Sequence, residues 1–433
     1  MAEHISPFRE SMRRLMRRKL VIISLCWLSL MVVIAVLAPV IANDKPFYFS
    51  IAGHHFFPSL SGDEDAVIVN EQGERSTVNF IDPGAEIRQN ATIIQSPIRY
   101  APHKSDLNNA DYVSPSGEQF RNGGQPLEGS ERHLLGTGRR GEDILAGMIH
   151  GSRVSMSVGI LSMAIAGFIG LVLGAMAGYF GDDTLKLSRG SMLMTVIGIL
   201  PAWFYGFQVR MITLEAALNS TALALIFHLL LSLLIFTSVL FLYNRAGRLL
   251  HFIAWFKKEI HVLADTIISR FIEILISLPK LILIISVAAI SKPSLLNLIL
   301  IIGFTSWTEI ARFTRAEMLR VRSLDYIQSA RSLGYPQMRI IFLHALPNAI
   351  APALITISFG IAGAILMESA LSFLGIGVPP DIATWGSLLA AGKENFSAWW
   401  LVVFPGVAIF LTVTAFNLVG EGLRDAFDPK LRK

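Results

Sequence analysis

Few residues in this chain combine a reactive type with a useful spacing. Glu368 stands inside an apolar run from Ala349 to Ile376, with Ser369 and Ser372 one and four residues further on. An ionisable group at that depth is costly and faces protein or water. The three are therefore candidates for a subunit interface or translocation path, against a reading in which Glu368 pairs with a neighbouring polar group or helix end. Glu273 and Glu309 fall near the ends of their own apolar runs and need only the interface. The ten histidines show no metal-ligand spacing: His54 and His55 are adjacent, and HExxH is absent. His228, inside another apolar run, reads as a partnered or snorkelling side chain. The single cysteine, Cys26, also sits in an apolar run, so neither a disulfide framework nor a thiol metal site is available. Gly136, Gly138 and Gly141 spell GxGxxG, but a dinucleotide fingerprint needs a βαβ unit and here the chain runs into an apolar span. No GxxxxGK[ST] loop exists to cradle nucleotide phosphates. Catalysis by this chain is not supported.

One polar stretch has internal design. Asp325–Pro347 reads DYIQSARSLGYPQMRIIFLHALP, within a basic loop of residues 313–347. Its periodicity predicts a short amphipathic helix over Asp325–Leu333, with Tyr326, Ala330 and Leu333 on one face and Gln328, Arg331 and Ser332 turned away. Gly334 is placed to end that helix in the left-handed conformation, and Pro336 to open a second helix that stops at Pro347. Ile340, Ile341 and Leu343 would then point toward the bilayer. Helix, glycine elbow and helix make a rigid knob suited to a partner's groove. Arg312, Arg315, Arg320, Arg322, Arg331 and Arg339 crowd the same region. Anionic lipid, worth about 1 kcal/mol per charge near the surface, and the acidic rim of a partner's cleft both account for them.

The elements that carry these residues belong to a membrane. The chain has 433 residues, 53% hydrophobic and 16% charged, with a mean hydropathy of +0.54, which excludes an ordinary soluble protein. The net charge of +5 gathers beside apolar runs, as cytoplasmic loops require, so it reports topology rather than nucleic-acid binding. Arg9, Arg13, Arg14, Arg17, Arg18 and Lys19 precede a run from Leu20 to about Ala42. That run exceeds the roughly 7 to 15 residues of a signal-peptide core and reads as an uncleaved first span. Residues 43–135 carry 13 acids and 7 bases, an acidic excess that suits the outer side. Alternation in Asp65–Val69 and Ser76–Phe80 predicts a hairpin and hence a small β-containing domain. A second span, Ser152–Phe180, is studded with Gly159, Gly167, Gly170, Gly174 and Gly178, which permit close helix contact. Apolar runs at about Gly190–Gln208 and Thr221–Tyr243 form a hairpin of two crossings or, because Pro201 interrupts the first, a re-entrant segment paired with an interfacial one; a basic amphipathic stretch, 246–262, follows, predicted as a helix on the inner surface. Ile267–Ile290, Leu295 to about Phe313, Ala349–Ile376 and Trp399 to about Leu418 complete eight spans.

The order Ala330, Gly334, then Leu346 and Pro347 resembles the cytoplasmic EAAxxxG loop of ABC importer permeases, with Gln328, Ser329 and His344 departing from its usual residues. HALPN looks like the peptide and nickel branch, while Ile365–Asp381 (ILMESALSFLGIGVPPD), running to Thr384–Gly392 (TWGSLLAAG), resembles a characteristic stretch of the family. So does the segment entering the second span, with Gly136, Thr137, Gly141, Asp143 and Gly151. The resemblance covers residues 1–45, 131–181 and 264–433. It implies an all-α polytopic permease of the type I ABC importer fold, six core spans plus the inserted hairpin, with ATPase coupling through Asp325, Tyr326, Gln328, Ser329, Ala330, Arg331, Leu333, Gly334, Leu346 and Pro347. It implies as partners ABC ATPase subunits, a second homologous permease, an extracytoplasmic substrate-binding protein and membrane lipid. No cofactor is expected on this chain, with ATP and Mg on the ATPase. The organisation expected is a cytoplasmic N-terminus and first helix (1–42), an extracytoplasmic insertion (43–135), a second helix (136–181), an inserted hairpin with a surface helix (182–264), a permease core (265–425) and a cytoplasmic tail (426–433). An ion-driven secondary transporter, or a membrane scaffold or sensor with an outer ligand domain, are the readings from other classes; both leave the 313–347 loop unexplained.

Overall fold

The computed structural model describes residues 12–51, 53–69, 75–121, 123–184, 186–218 and 222–427. Arg9, residues 70–74 of the expected Asn70–Arg75 turn and the tail beyond Phe427 lie outside the described residues. Among those described, seven helices are long and apolar enough to cross a membrane, or eight with one bent pair counted as a span. A spanning segment must satisfy its backbone internally, so each long apolar run becomes a helix. In chain order they are α1 (Lys19–Ile41), α2 (Ile144–Phe180), α3 (Arg189–Trp203, prolonged by a π turn to Gln208), α4 (Ala222–Ala246), the bent pair α5 (Ala264–Ser277) and α6 (Lys280–Ile290), and α7 (Leu295–Val321). After the polar loop come α8 (Asp325–Ser332), α9 (Ala351–Phe373), the short α10 (Trp385–Ala391) and α11 (Trp400–Phe427). The expected single helix over Ile267–Ile290 is corrected by the break at Leu278 and Pro279. Pro279 has no N–H to give Leu275, and its ring opposes that carbonyl.

The chain divides into two compact units. The first comprises residues 1–170, 276–310 and 350–433. Leu28, Met31 and Ala35 of α1 pack with Ala362 and Ile365 of α9, Ile409 and Phe416 of α11, Met156 and Trp385. Between α1 and α2, β1 (Tyr48–Ile51) is paired antiparallel with both β2 (His54–Phe56) and β5 (Thr92–Ile94), and β3 (Asp65–Val69) pairs with β4 (Arg75–Asn79). Phe49, Val78 and Phe80 form their core. The segment leading to α2 is fastened by buried His133, whose Nδ1 lies 2.8 Å from Asp143 Oδ2 and whose Nε2 lies 3.2 Å from Asp106 Oδ2. Asp143 also caps α2, accepting the Ala146 N–H at 2.6 Å.

The second unit comprises residues 171–275 and 311–349. Here α3 and α4 form the inserted hairpin. β6 (Lys186–Ser188) and β7 (Glu259–His261) pair antiparallel across its base. The expected surface helix over 246–262 is corrected: the stretch is a 3-10 turn (Gly247–Phe252), a four-residue helix (Ala254–Lys257) and β7. Pairing with β6 draws Glu259–His261 out as a strand, and Ile253 and Lys258 take extended backbone (ψ 120° and 126°) through which no helix can pass. His228 has a partner, Arg210, whose guanidinium donates to its Nδ1 at 3.0 Å and to Ser232 Oγ at 3.0 Å.

The glycine row of α2 meets α7 as its residue sizes suggest. In the first unit a Cβ on Gly170 would sit 2.7 Å from Ile310 Cβ. In the second, a Cβ on Gly174 would sit 2.5 Å from the Ala311 carbonyl and one on Gly178 2.5 Å from the Arg315 carbonyl. Only hydrogen fits between backbones this close.

Candidate functional site: a braced elbow and a buried carboxylate

Helix α8 ends in a full Schellman motif. Gly334 adopts φ +75°, its N–H donates to Arg331 O at 2.9 Å, and Tyr335 N–H reaches back to Ala330 O at 3.3 Å. Pro336 precedes the second arm as its N-cap. That arm is three continuous pieces: an α turn (Gln337–Ile340), a π turn (Ile341–Ala345) and another α turn (Leu346–Ala349). The expectation that it stops at Pro347 is therefore corrected. A widened turn before Pro347 relieves the opposition between its ring and the Leu343 carbonyl, and the helix continues.

Burial divides the face expected on α8 and overturns part of the lipid-facing assignment of the second arm. On α8 the inward residues are Ile327 and Ala330, while Tyr326 and Leu333 are exposed, Leu333 by 74%. On the second arm Ile340 and Ile341 are inside the protein rather than toward lipid, and only Leu343 is exposed. These residues share one core with Ala345, Ala349, Met318, Val321, Tyr179 and Phe180. Both arms thus rest on the ends of α2 and α7, and Tyr326, Leu333, Tyr335, Met338 and Phe342 form an apolar outer surface. Asp325, Gln328, Ser329, Arg331, Gly334 and Pro347 are exposed beside it, whereas Ala330 is buried and Leu346 partly so.

Most of the crowded arginines have partners within the chain. Arg331 lies over the Tyr179 ring (4.7 Å) and donates to its hydroxyl (3.3 Å). Arg315 makes a bidentate pair with Asp265, with Nη2 at 2.8 Å from Oδ2. Arg320 pairs with Glu317, Arg322 reaches Tyr179 O at 3.4 Å, Arg312 stacks on Phe313 and Arg339 on Tyr335. Asp182 accepts both the N–H (3.0 Å) and the hydroxyl (2.6 Å) of Thr266 at the start of α5. Those hydrogen bonds, hydroxyl first, hold its carboxyl below the usual range.

Glu368, in the first unit, is fully buried. Ser155 Oγ donates to Oε2 (2.9 Å), Ser372 Oγ to Oε1 (2.8 Å) and Ser369 Oγ to Oε2 (3.4 Å), and the Thr384 side chain joins them. The structure brings together the three residues nominated from sequence and adds Ser155 and Thr384. Ser372 was visible as an i+4 neighbour, but nothing local in sequence pointed to Ser155. An acceptor ringed by hydroxyl donors from several elements can anchor helices.

The described residues thus form a multi-pass helical protein with a braced elbow and an enclosed carboxylate. The comparisons place it. Residues 252–433 match the family of binding-protein-dependent transport system inner membrane components, and residues 6–57 match the N-terminal TM domain of oligopeptide transport permease C. The chain is 34% identical over 331 residues to a di/tripeptide transport system permease protein of Pseudomonas aeruginosa, covering 75% of this chain and 83% of that one. It is 44% identical over 168 residues to the dipeptide transport system permease protein of Escherichia coli K12 (39% and 56%), and 42% over 180 residues to a putative peptide transport system permease protein of Brucella suis (41% and 59%). The matched stretches thus span less than two thirds of the latter two relatives. The chain belongs to the binding-protein-dependent transport system inner membrane component family, a family of membrane permease components that are not themselves catalytic.

Proposed function

We propose that the chain is the permease subunit of an ATP-driven ABC importer of the type I fold, carrying short peptides, or nickel complexes and peptide-like solutes, across the plasma membrane. The relatives' names support the peptide cargo. One observation carries the mechanism: the exposed face of Tyr326 and Leu333 is held rigid from beneath by a buried core shared with α2 and α7. A separate ATPase grips this face; ATP-driven closure pushes the elbow as one body, and the membrane path switches to receive solute from a substrate-binding protein. A second, homologous permease completes the path, and ATP and Mg stay on the ATPase. Both termini and residues 313–347 face the cytoplasm, residues 43–135 form the extracytoplasmic insertion, and the inserted hairpin crosses twice.

Glu368, Ser369 and Ser372, with Ser155 and Thr384, fix α9 against α2 and α10 behind the path. The test uses Leu333→Asp, which alters an exposed side chain and leaves the core intact. It should abolish co-purification of the ATPase while the chain stays in the membrane. Retention of the ATPase, or its binding to a form lacking the elbow, sinks the proposal. Cysteine labelling at Glu215 from the cytoplasmic side alone would instead remove the two inserted crossings.

A further inference from the structure

At the base of the inserted hairpin, four large apolar side chains stand out from the protein: Leu249 (78% exposed), Phe252 (80%), Ile253 and Trp255. Between Arg245 and Lys258 the chain also carries Arg245, Arg248, Lys257 and Lys258 and no acid. All four cations are exposed. Apolar side chains beside four exposed cations, against the single exposed acid Glu259 that follows, suit an interface whose one layer is hydrocarbon and whose next is anionic. Continuity with the membrane fixes the depth, because the candidate span Phe227–Phe252 ends inside this segment.

The segment is also held in shape. His251 Nε2 is 2.8 Å from Ser188 Oγ, Arg189 N–H donates to Lys258 O at 3.0 Å, the Arg189 guanidinium lies 4.6 Å from the centre of the Trp255 ring, and β6 and β7 close the ends. A helix would wrap these residues around an axis. The folded collar keeps them fixed, so little ordering cost remains when a ligand arrives.

We infer that residues 245–258 form a binding site for anionic glycerophospholipid, with the acyl chains against Leu249, Phe252 and Trp255 and the phosphates on Arg248, Lys257 and Lys258. The added hairpin is thereby a lipid-anchored arm. Charge complementarity selects lipid over an acidic protein groove, because a groove would leave the acyl-depth side chains facing water.

The full-length chain is placed in nanodiscs of phosphatidylcholine containing a minority of either phosphatidylglycerol or phosphatidylcholine brominated on its acyl chains. Trp255 emission is isolated by subtracting the spectrum of Trp255→Phe. Brominated phosphatidylglycerol should quench Trp255 far more than the brominated zwitterion. At about fivefold per charge near the surface, Arg248→Gln with Lys257→Gln and Lys258→Gln should cut that preference on the order of a hundredfold, to near parity. Unchanged circular dichroism shows that the variant is folded. Equal quenching by the two brominated lipids in the unaltered chain overturns the headgroup site. Quenching by aqueous acrylamide but by neither lipid overturns membrane contact altogether and marks a protein-docking surface.

Discussion

The elbow at Gly334 separates backbone strain from side-chain size. A Cβ built on Gly334 meets nothing within 4 Å, while its φ of +75° is a region that residues with a Cβ avoid. The penalty for substitution is therefore conformational: about 1–2 kcal/mol for Ala, toward the upper end of about 1–3 kcal/mol for β-branched Val, and little for Asn, which visits this region. One to two kcal/mol is about a 5- to 30-fold loss of the native elbow, and with it the Tyr335-to-Ala330 and Gly334-to-Arg331 bonds. Because the two arms are also pinned by Ile327, Ile340 and Ile341, the chain should still insert and the damage should stay local. Uptake of a labelled dipeptide, normalised to membrane abundance, should rank Gly, Asn, Ala, Val. Trypsin cleavage after Arg331 should rise in the same order. Asn is larger than Ala, so the ranking cannot come from crowding. Val at full uptake with normal trypsin resistance, or Asn as harmful as Val, would refute the reasoning.

Further outcomes rest on other contacts. Gly174→Ala should lower thermal stability by about 1–3 kcal/mol in a detergent melting assay, since its Cβ would sit 2.5 Å from the Ala311 carbonyl, whereas Gly363→Ala, with open space, should not. Glu368→Gln should melt near the parent temperature because the hydroxyls retain a partner; Glu368→Leu should lose about 1–3 kcal/mol, moderated where serines turn to their own helix carbonyls. His103 accepts the Ala383 N–H on Nε2 at 3.1 Å, and burial holds its pKa below the usual 6.5. Folding thus prefers the neutral ring and the unfolded chain takes up the proton first, so this contact stabilises above pH 6.5 and is lost as pH falls below it. Melting curves across that window should show a loss that His103→Gln flattens.

The spans were legible because lipid leaves a long apolar run one way to satisfy its backbone, and the elbow because Gly334 and Pro336 act within a few residues of themselves. What failed depended on distant chain. The choice between Tyr326 and Ile327 as the inward residue is a rotation of one position on α8, decided by Met318 and Tyr179. The 246–262 stretch has helical periodicity, yet Glu259–His261 pair with Lys186–Ser188 far earlier in the chain, and a helix cannot continue into that ladder. The arginines looked like an outward basic patch because Asp265 and Tyr179, their partners, lie 50 and 152 residues from Arg315 and Arg331. Glu368 displayed two donors in its own turn, Ser369 and Ser372, and took another 213 residues earlier.

That dispersal bears on how a push would travel. Were α8 braced only by its neighbours in sequence, a force on Leu333 would bend the loop and end there. Instead, within the second unit, Ile327 and Ala330 lie on Met318 and Val321 at the end of α7, and on Tyr179 and Phe180 at the end of α2. Arg315 of α7 is tied bidentately to Asp265 of α5, and Asp182 caps α5 through Thr266. A close-packed core has low compressibility and charge-assisted bonds resist separation. Displacing the elbow therefore loads the ends of three membrane helices together, and each link can be cut singly. Asp265→Asn should spare insertion and partner binding yet reduce uptake, because α5 would no longer follow α7.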